Sequence, residues 1–225
     1  MFGRAGLLRL RQVLDAGGRV SSEARVATDP AALADHLARF AGDAVAIGLE
    51  AGALTPWLAR ALAGRGLPVL VLETRRMKAY ARASAVKTDR RDAKMIAQAL
   101  RAGLYRAVHV KGEAAHRQRL ALSARSLLLS QARQLQLKIR GDLKPFGIKL
   151  GKVANGGFAG AVRTRLADRP DLLALVRPLL EMRAALLEQV RRYDRALRRQ
   201  AAADPVCRRL MTVPGVGPLT ALAFK

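Results

Sequence analysis

"AVAIGLEAGALTPWLARALAGRGLPVLVLE" (residues 44–73) decides the fold class. Its first seven residues are a short, nearly all-apolar run that ends in an acid, Glu50. Such a run suits a strand buried on both faces. "LTPWLARALAGRG" has helical spacing, and "LPVLVLE" (residues 67–73) is a second buried run. Strand, helix and strand joined by short glycine turns predict a right-handed βαβ crossover and a parallel pair. Trp57, on the helix, and Tyr80 are read as core residues, because aromatics make up only 4% of the chain and stacking on single strands is a weak alternative.

Working outward, "QVLDAGGRVSSEARVA" (residues 12–27) places apolar stretches on both sides of Asp-Ala-Gly-Gly, a hairpin signal. "TDPAALADHLARFAG" (residues 28–42) reads as a helix with Asp29 as N-cap, Pro30 at the first position and Gly42 at its end. A further helix is expected over residues 88–102, followed by a strand at "AVHV" (residues 107–110). The first 110 or so residues therefore predict a mixed α/β layer, an antiparallel hairpin joined to parallel strands.

After Lys111 the pattern turns helical. One long run ends at Pro145 and Gly147, with Leu120, Leu127 and Ile139 among its apolar residues. "KLGKVANGGFAG" (residues 149–160) reads as a glycine-rich loop. A second long helix is expected over residues 170–203, with Leu172, Leu175, Leu179, Leu186 and Val190 on one side. Two long helices around a loop predict an antiparallel helical arm of coiled-coil character. The last segment, "RRLMTVPGVGPLTALAFK", holds a Pro-Gly-Val-Gly turn between helical patterns. It is similar to a helix-hairpin-helix, in which glycines such as Gly215 and Gly217 let backbone N–H groups approach a phosphate.

Composition narrows the partner. Lys and Arg number 41 against 17 Asp and Glu, a net charge of +24, spread along the whole chain. A polyanion answers that excess, because phosphates neutralised by basic residues release counterions. An anionic membrane surface would call for one basic amphipathic segment. The most apolar window, residues 44–63, is broken by Glu50 and Arg60, so no membrane span is expected. One cysteine, Cys207, rules out a disulfide framework and suits a reducing cytoplasm. With His36, His109 and His116 scattered, neither a zinc site nor a Ser-His-Asp arrangement can be built.

Against this background "AVKTDRRDAKMIAQAL" (residues 85–100) sets Asp89 and Asp92 three apart on a helix, among Lys87, Arg90, Arg91 and Lys94. Capping alone accounts for both acids, since carboxylates are favoured in a helix's first turn. Metal binding is the other reading. Glu50 ends a predicted buried strand, where open α/β sheets place functional groups. A βαβ arrangement can bring that strand end near the Asp helix. Two Mg²⁺ ions between clustered acids would serve phosphodiester chemistry, and that chemistry needs hard oxygen ligands.

"AIGLEAGALTPWLARALAGRGLPVLVLE", then "KTDRRDAKMIAQAL", then the basic helix pair and "LMTVPGVGPLTALA", resembles the DEDD transposases of the insertion-sequence 110 group over residues 14–225. The resemblance implies an RNase H-like (RuvC-like) domain over residues 1–110, a coiled-coil linker and dimerisation arm over 111–204, and the start of a C-terminal transposase domain over 205–225. It implies a bacterial, cytoplasmic, nucleoid-associated enzyme that cleaves and exchanges insertion-sequence DNA strands. Glu50, Asp89 and Asp92 would be catalytic Mg²⁺ ligands, the second to fourth acids of the family's four. Lys87, Arg90, Arg91, Gly215 and Gly217 would meet nucleic acid. DNA, a structured noncoding guide RNA and a second copy of the chain would be the partners. Two departures are noted. Residues 1–14 contain no acid to match the family's first aspartate, and Asp15 matches a turn aspartate instead. The family's nucleophilic serine is expected beyond Lys225, and Ser123, Ser126 and Ser130 do not replace it. Both ends are therefore expected to be truncated, with strand exchange incomplete. A non-catalytic basic nucleic-acid-binding remnant is the alternative expectation.

Overall fold

The computed structural model describes residues 8–40, 46–73 and 89–225, excepting the side chains of residues 8–11 and 89–91. The chain divides into two compact units, residues 1–112 and 113–225.

In the first unit, β1 (Leu8–Leu14) and β2 (Val20–Ala27) form an antiparallel hairpin. Its turn is held by Asp15, whose carboxylate accepts the Arg19 N–H at 2.9 Å, and by Gly18 at φ 82°. A side chain at Gly18 would also collide with the Arg101 guanidinium, at 2.8 Å. The helix α1 (Pro30–Ala38) starts as its sequence requires: the Asp29 carboxylate accepts the N–H groups of Ala31 and Ala32, both at 3.0 Å. Asp29→Ala is expected to lower the unfolding free energy of this unit by about 1 kcal/mol, the usual worth of such a cap, as read by urea denaturation. Gly42, the predicted helix end, lies outside the described residues.

β3 (Ile47–Glu50) and β4 (Val69–Leu72) are parallel, with Gly48 beside Leu70 and Glu50 beside Leu72. The crossover between them is α2 (Thr55–Ala63). Alternation along the strands splits the side chains between two faces. Leu49, Val71 and Val69 meet Leu33, Leu58 and Leu62 of α1 and α2. Leu70 and Leu72 turn to the other face, where α3 (Asp89–Arg101) packs through Met95, Ile96, Ala99 and Leu100.

Several expectations need correction. Among the described residues the hairpin and the parallel pair are separate two-stranded sheets rather than one joined layer. What links them is α3, which packs on both β1 and β3. Residues 107–110 form no strand. Ala107 makes one antiparallel bridge to Leu72, flanked by the hydrogen bonds Val108 N–H to Val71 O at 2.7 Å and Glu73 N–H to Arg106 O at 3.0 Å. Trp57 is 45% exposed and is not a core residue, because α2 turns Leu58, Ala59 and Leu62 inward instead. Tyr80 lies outside the described residues.

The second unit is helical: α4 (Glu113–Asp142), a 3-10 turn (Lys144–Phe146) closed by Gly147 at φ 74°, α5 (Phe158–Arg165), α6 (Pro170–Ala203), α7 (Pro205–Leu210) and α8 (Pro218–Phe224). Proline at four of these starts uses its fixed φ where its missing N–H costs nothing. α4 and α6 run antiparallel. Their cross-links are Gln118 with Gln200 at 3.1 Å, Arg125 with Asp194 at 2.5 Å and Gln136 with Arg183 at 2.8 Å, so numbers rise along one helix as they fall along the other. One end of the arm is packed around Phe158, Ile139, Leu166 and Leu180, and the other around Leu197, Ala201, Cys207 and Leu222.

Two arm expectations change. Leu175 is 73% exposed, because the buried stripe of α6 runs through Leu172, Val176, Leu180, Arg183, Val190 and Leu197. The predicted glycine-rich loop ends early, at Gly157. Its last residues begin α5, where burial of Phe158 and Val162 outweighs the weak helix propensity of Gly160.

Candidate functional site

The candidate site lies where β3 meets α3. Gly48 makes that meeting possible. A β-carbon there would stand 2.5 Å from Leu100 Cδ1 and 2.9 Å from Ile96 Cγ2, so only glycine lets the helix approach this closely. Glu50 follows Gly48 by two residues, and strand alternation puts it on the same, α3-facing side. Asp92 precedes Ile96 by four residues, one helical turn, so it shares the face that α3 presents to the strand. Both acids are half-buried, and neither carboxylate has an ion-pair or hydrogen-bond partner among the described residues.

The end of β3 is fixed from the other side. The Thr55 hydroxyl, itself buried, donates to the Glu50 carbonyl at 2.7 Å, and Thr55 N–H bonds Gly52 O at 3.2 Å. Strand end and helix start are thus tied across residues 51–54. Sequence reasoning missed both Thr55 and Gly48. A hydroxyl at the first position of the crossover helix, and a glycine inside an otherwise apolar strand, were the signals available.

The rest of the expected set is less complete. Asp89 is the first residue of α3, one turn before Asp92, and the side chains of Asp89, Arg90 and Arg91 are not among those described. Lys87 lies outside the described residues. Lys94 is exposed on the outer side of α3. Among the described residues no three acidic, histidine or cysteine side chains form a metal-binding group, and Asp89 is outside that comparison. In the other unit, Gly217 precedes α8 and Gly215 takes φ 83° in the turn after α7. Asp204 caps α7 by accepting Val206 and Cys207 N–H at 2.9 and 3.0 Å and pairs with Lys225, which holds its carboxyl below the ordinary 3.8. No helix among the described residues is long and apolar enough to cross a membrane.

The class is thus a strongly basic chain with a mixed α/β unit, two acids at a strand–helix junction and a helical arm. Residues 11–147 match the family model described as transposase, the DEDD transposases of IS110 type, and the chain belongs to that family. Over 168 residues it is 27% identical to the "Transposase for insertion sequence element IS1111A" of Coxiella burnetii, a match covering 73% of this chain and 46% of the relative. Over 181 residues it is 29% identical to the "Putative transposase y4pF/y4sB" of Sinorhizobium fredii, covering 78% of this chain and 45% of the relative. The chain thus spans about half the length of the curated relatives it matches.

Proposed function

We propose that this chain carries the divalent-metal site and the arm of a DNA transposase that cleaves and exchanges insertion-sequence strands. Glu50 and Asp92, with Asp89 one turn away, would hold Mg²⁺ in an RNase H-like unit. The observation that supports this reading best is the placement of Glu50 and Asp92 on facing surfaces of β3 and α3, brought together at Gly48. Unpaired, half-buried carboxylates are the donor type Mg²⁺ takes. Bound divalent ions supply Lewis-acid polarisation of the phosphodiester. The chain's own part is positional. β3 and α3 fix the acids, Thr55 fixes the strand end, and Lys87, Arg90, Arg91 and Lys94 attract the phosphates.

The partners follow from the same reading. DNA meets the basic surface, with Gly215 and Gly217 admitting a phosphate in the manner of a helix-hairpin-helix, and a structured RNA is the second polyanion. A second copy would join along α4. Leu120, Ser123, Leu127, Ser130, Gln134 and Leu137 are all exposed at alternating three- and four-residue steps, the spacing of a coiled-coil seam.

The test measures Mn²⁺ binding by electron paramagnetic resonance and plasmid nicking in Mg²⁺, for the parent chain, Glu50→Gln and Asp92→Asn. Each substitution is expected to weaken Mn²⁺ binding and nicking by roughly 10²-fold, about 3 kcal/mol of lost charge stabilisation, with duplex affinity in EDTA unchanged. Equal Mn²⁺ binding by the parent and Asp92→Asn would remove the metal assignment and leave the non-catalytic nucleic-acid-binding reading that the net charge of +24 favours.

A further inference from the structure

At the end of the arm where α4 gives way to the loop before α5, an open cavity of about 660 Å³ is lined by Arg140, Leu150, Gly151, Lys152, Val153 and Ala154. That volume is in the range of ligand sites. No acid lines it. Arg140 Nη1 donates to the carbonyls of Leu150 and Gly151, the second at 3.0 Å, which curls the loop around its guanidinium. A guanidinium has five N–H donors, so those on Nε and Nη2 remain for something else.

Behind the loop stands a second cation. Arg183 is only 4% exposed, yet no carboxylate among the described residues pairs with it. Its Nη2 bonds Gln136 Oε1 at 2.8 Å and Asn155 O at 3.0 Å, its Nε has no partner, and its guanidinium lies 4.9 Å from the centre of the Phe158 ring. Arg140 lies 5.2 Å from the same ring centre. Burial pushes the Arg183 guanidinium below its ordinary value. A buried charge without a counter-ion is costly unless an anion answers it. Lys144, Lys149, Arg163 and Arg165 stand exposed on the same stretch of chain and form no ion pair among the described residues.

We propose that this loop is a phosphate cup, separate from the carboxylate site, in which Arg140 and Lys152 grip one backbone phosphate of a polynucleotide. Arg183 is a positioning residue. It holds Asn155, and through it the loop, and adds its field to the cup. The partner is a nucleic-acid backbone rather than a particular base sequence, because the only polar side chains in the lining are the cations Arg140 and Lys152, a donor set that suits a phosphate and includes no acceptor for a base.

Binding of a 20-base-pair duplex to the full chain, followed by fluorescence anisotropy in EDTA across a salt series, tests this without involving the metal site. Lys152→Glu is expected to weaken binding at least five-fold and to reduce the slope of log affinity against log salt by about one, the worth of one phosphate contact. Arg199→Glu, an equal charge change at an exposed position on α6, is expected to change affinity less. Equal effects of the two would overturn the cup in favour of diffuse attraction. Hydrogen exchange gives the second readout. The duplex should protect the amides of residues 150–155 in the parent chain and not in Lys152→Glu. Protection by inorganic phosphate but not by duplex would mean a free-anion site, and protection by neither would mean no site. Both outcomes overturn the proposal.

Discussion

Gly48→Val is expected to unseat the helix that carries Asp92. The first added carbon would lie 2.5 Å from Leu100 Cδ1, 3.2 Å from Leu100 Cγ and 2.9 Å from Ile96 Cγ2. Leu100 can rotate away at its tip. Ile96 cannot move as cheaply, because its Cγ2 sits directly on a β-branched carbon whose rotamer is restricted in a helix. Valine then adds two more methyl groups to the same gap. Overpacking of this kind costs about 1–3 kcal/mol. For a unit of this size that is a fall in melting temperature of roughly 10 °C. The opposite face of the sheet, with Leu33, Leu58, Leu62 and Val71, should keep its packing, so the unit folds but α3 stands further from β3. A displacement near 1 Å at a reacting site can cost about 10²-fold in rate. Thermal unfolding and Mn²⁺ binding therefore fall together in Gly48→Val. Native-like melting with undiminished Mn²⁺ binding would show that the close approach at Gly48 has no part in the site.

Phe158→Ala is expected to carry the largest stability cost, about 3–5 kcal/mol, as for other large aromatic truncations in cores. Phe158 is fully buried against Ile139, Leu143, Val162, Leu166, Leu172, Val176 and Leu180. Its ring also faces the guanidiniums of Arg140 and Arg183. Truncation leaves a cavity and removes the π surface that faces the buried Arg183 charge, so water must enter or the arm end must open. Hydrogen exchange should accelerate over residues 139–180 while the other end, around Leu197, Cys207 and Leu222, stays protected. Phe158→Leu should recover more than half of the loss, since it refills most of the volume but offers no ring to the cations. Uniform acceleration along the whole arm would contradict two separately packed ends.

Local chemistry wrote much of this protein legibly. Asp29 and Pro30 begin α1, Asp15 and Gly18 turn the hairpin, and the apolar runs ending at Glu50 and Leu72 became parallel strands, because caps, turns and burial on both strand faces depend on neighbours in the chain. The spacing of Asp89 and Asp92 marks a helix start and a candidate set of acids. The phase of the arm was harder. Leu175 and Val176 are both apolar neighbours on α6, and only the register against α4 decided that Val176 is buried and Leu175 faces solvent. Trp57 went outward and the weak helix former Gly160 went into α5 for the same reason: burial is settled by which partner surface arrives, and propensity is smaller than the packing it competes with. By itself the sequence determined the class of elements, the excess of positive charge and which acids are the candidates. Only the tertiary structure decided that Gly48 lets α3 press on β3, that Thr55 ties down the end bearing Glu50, and that Arg183 is buried without an acid, since each is a contact between residues distant along the chain or a burial that no local pattern encodes.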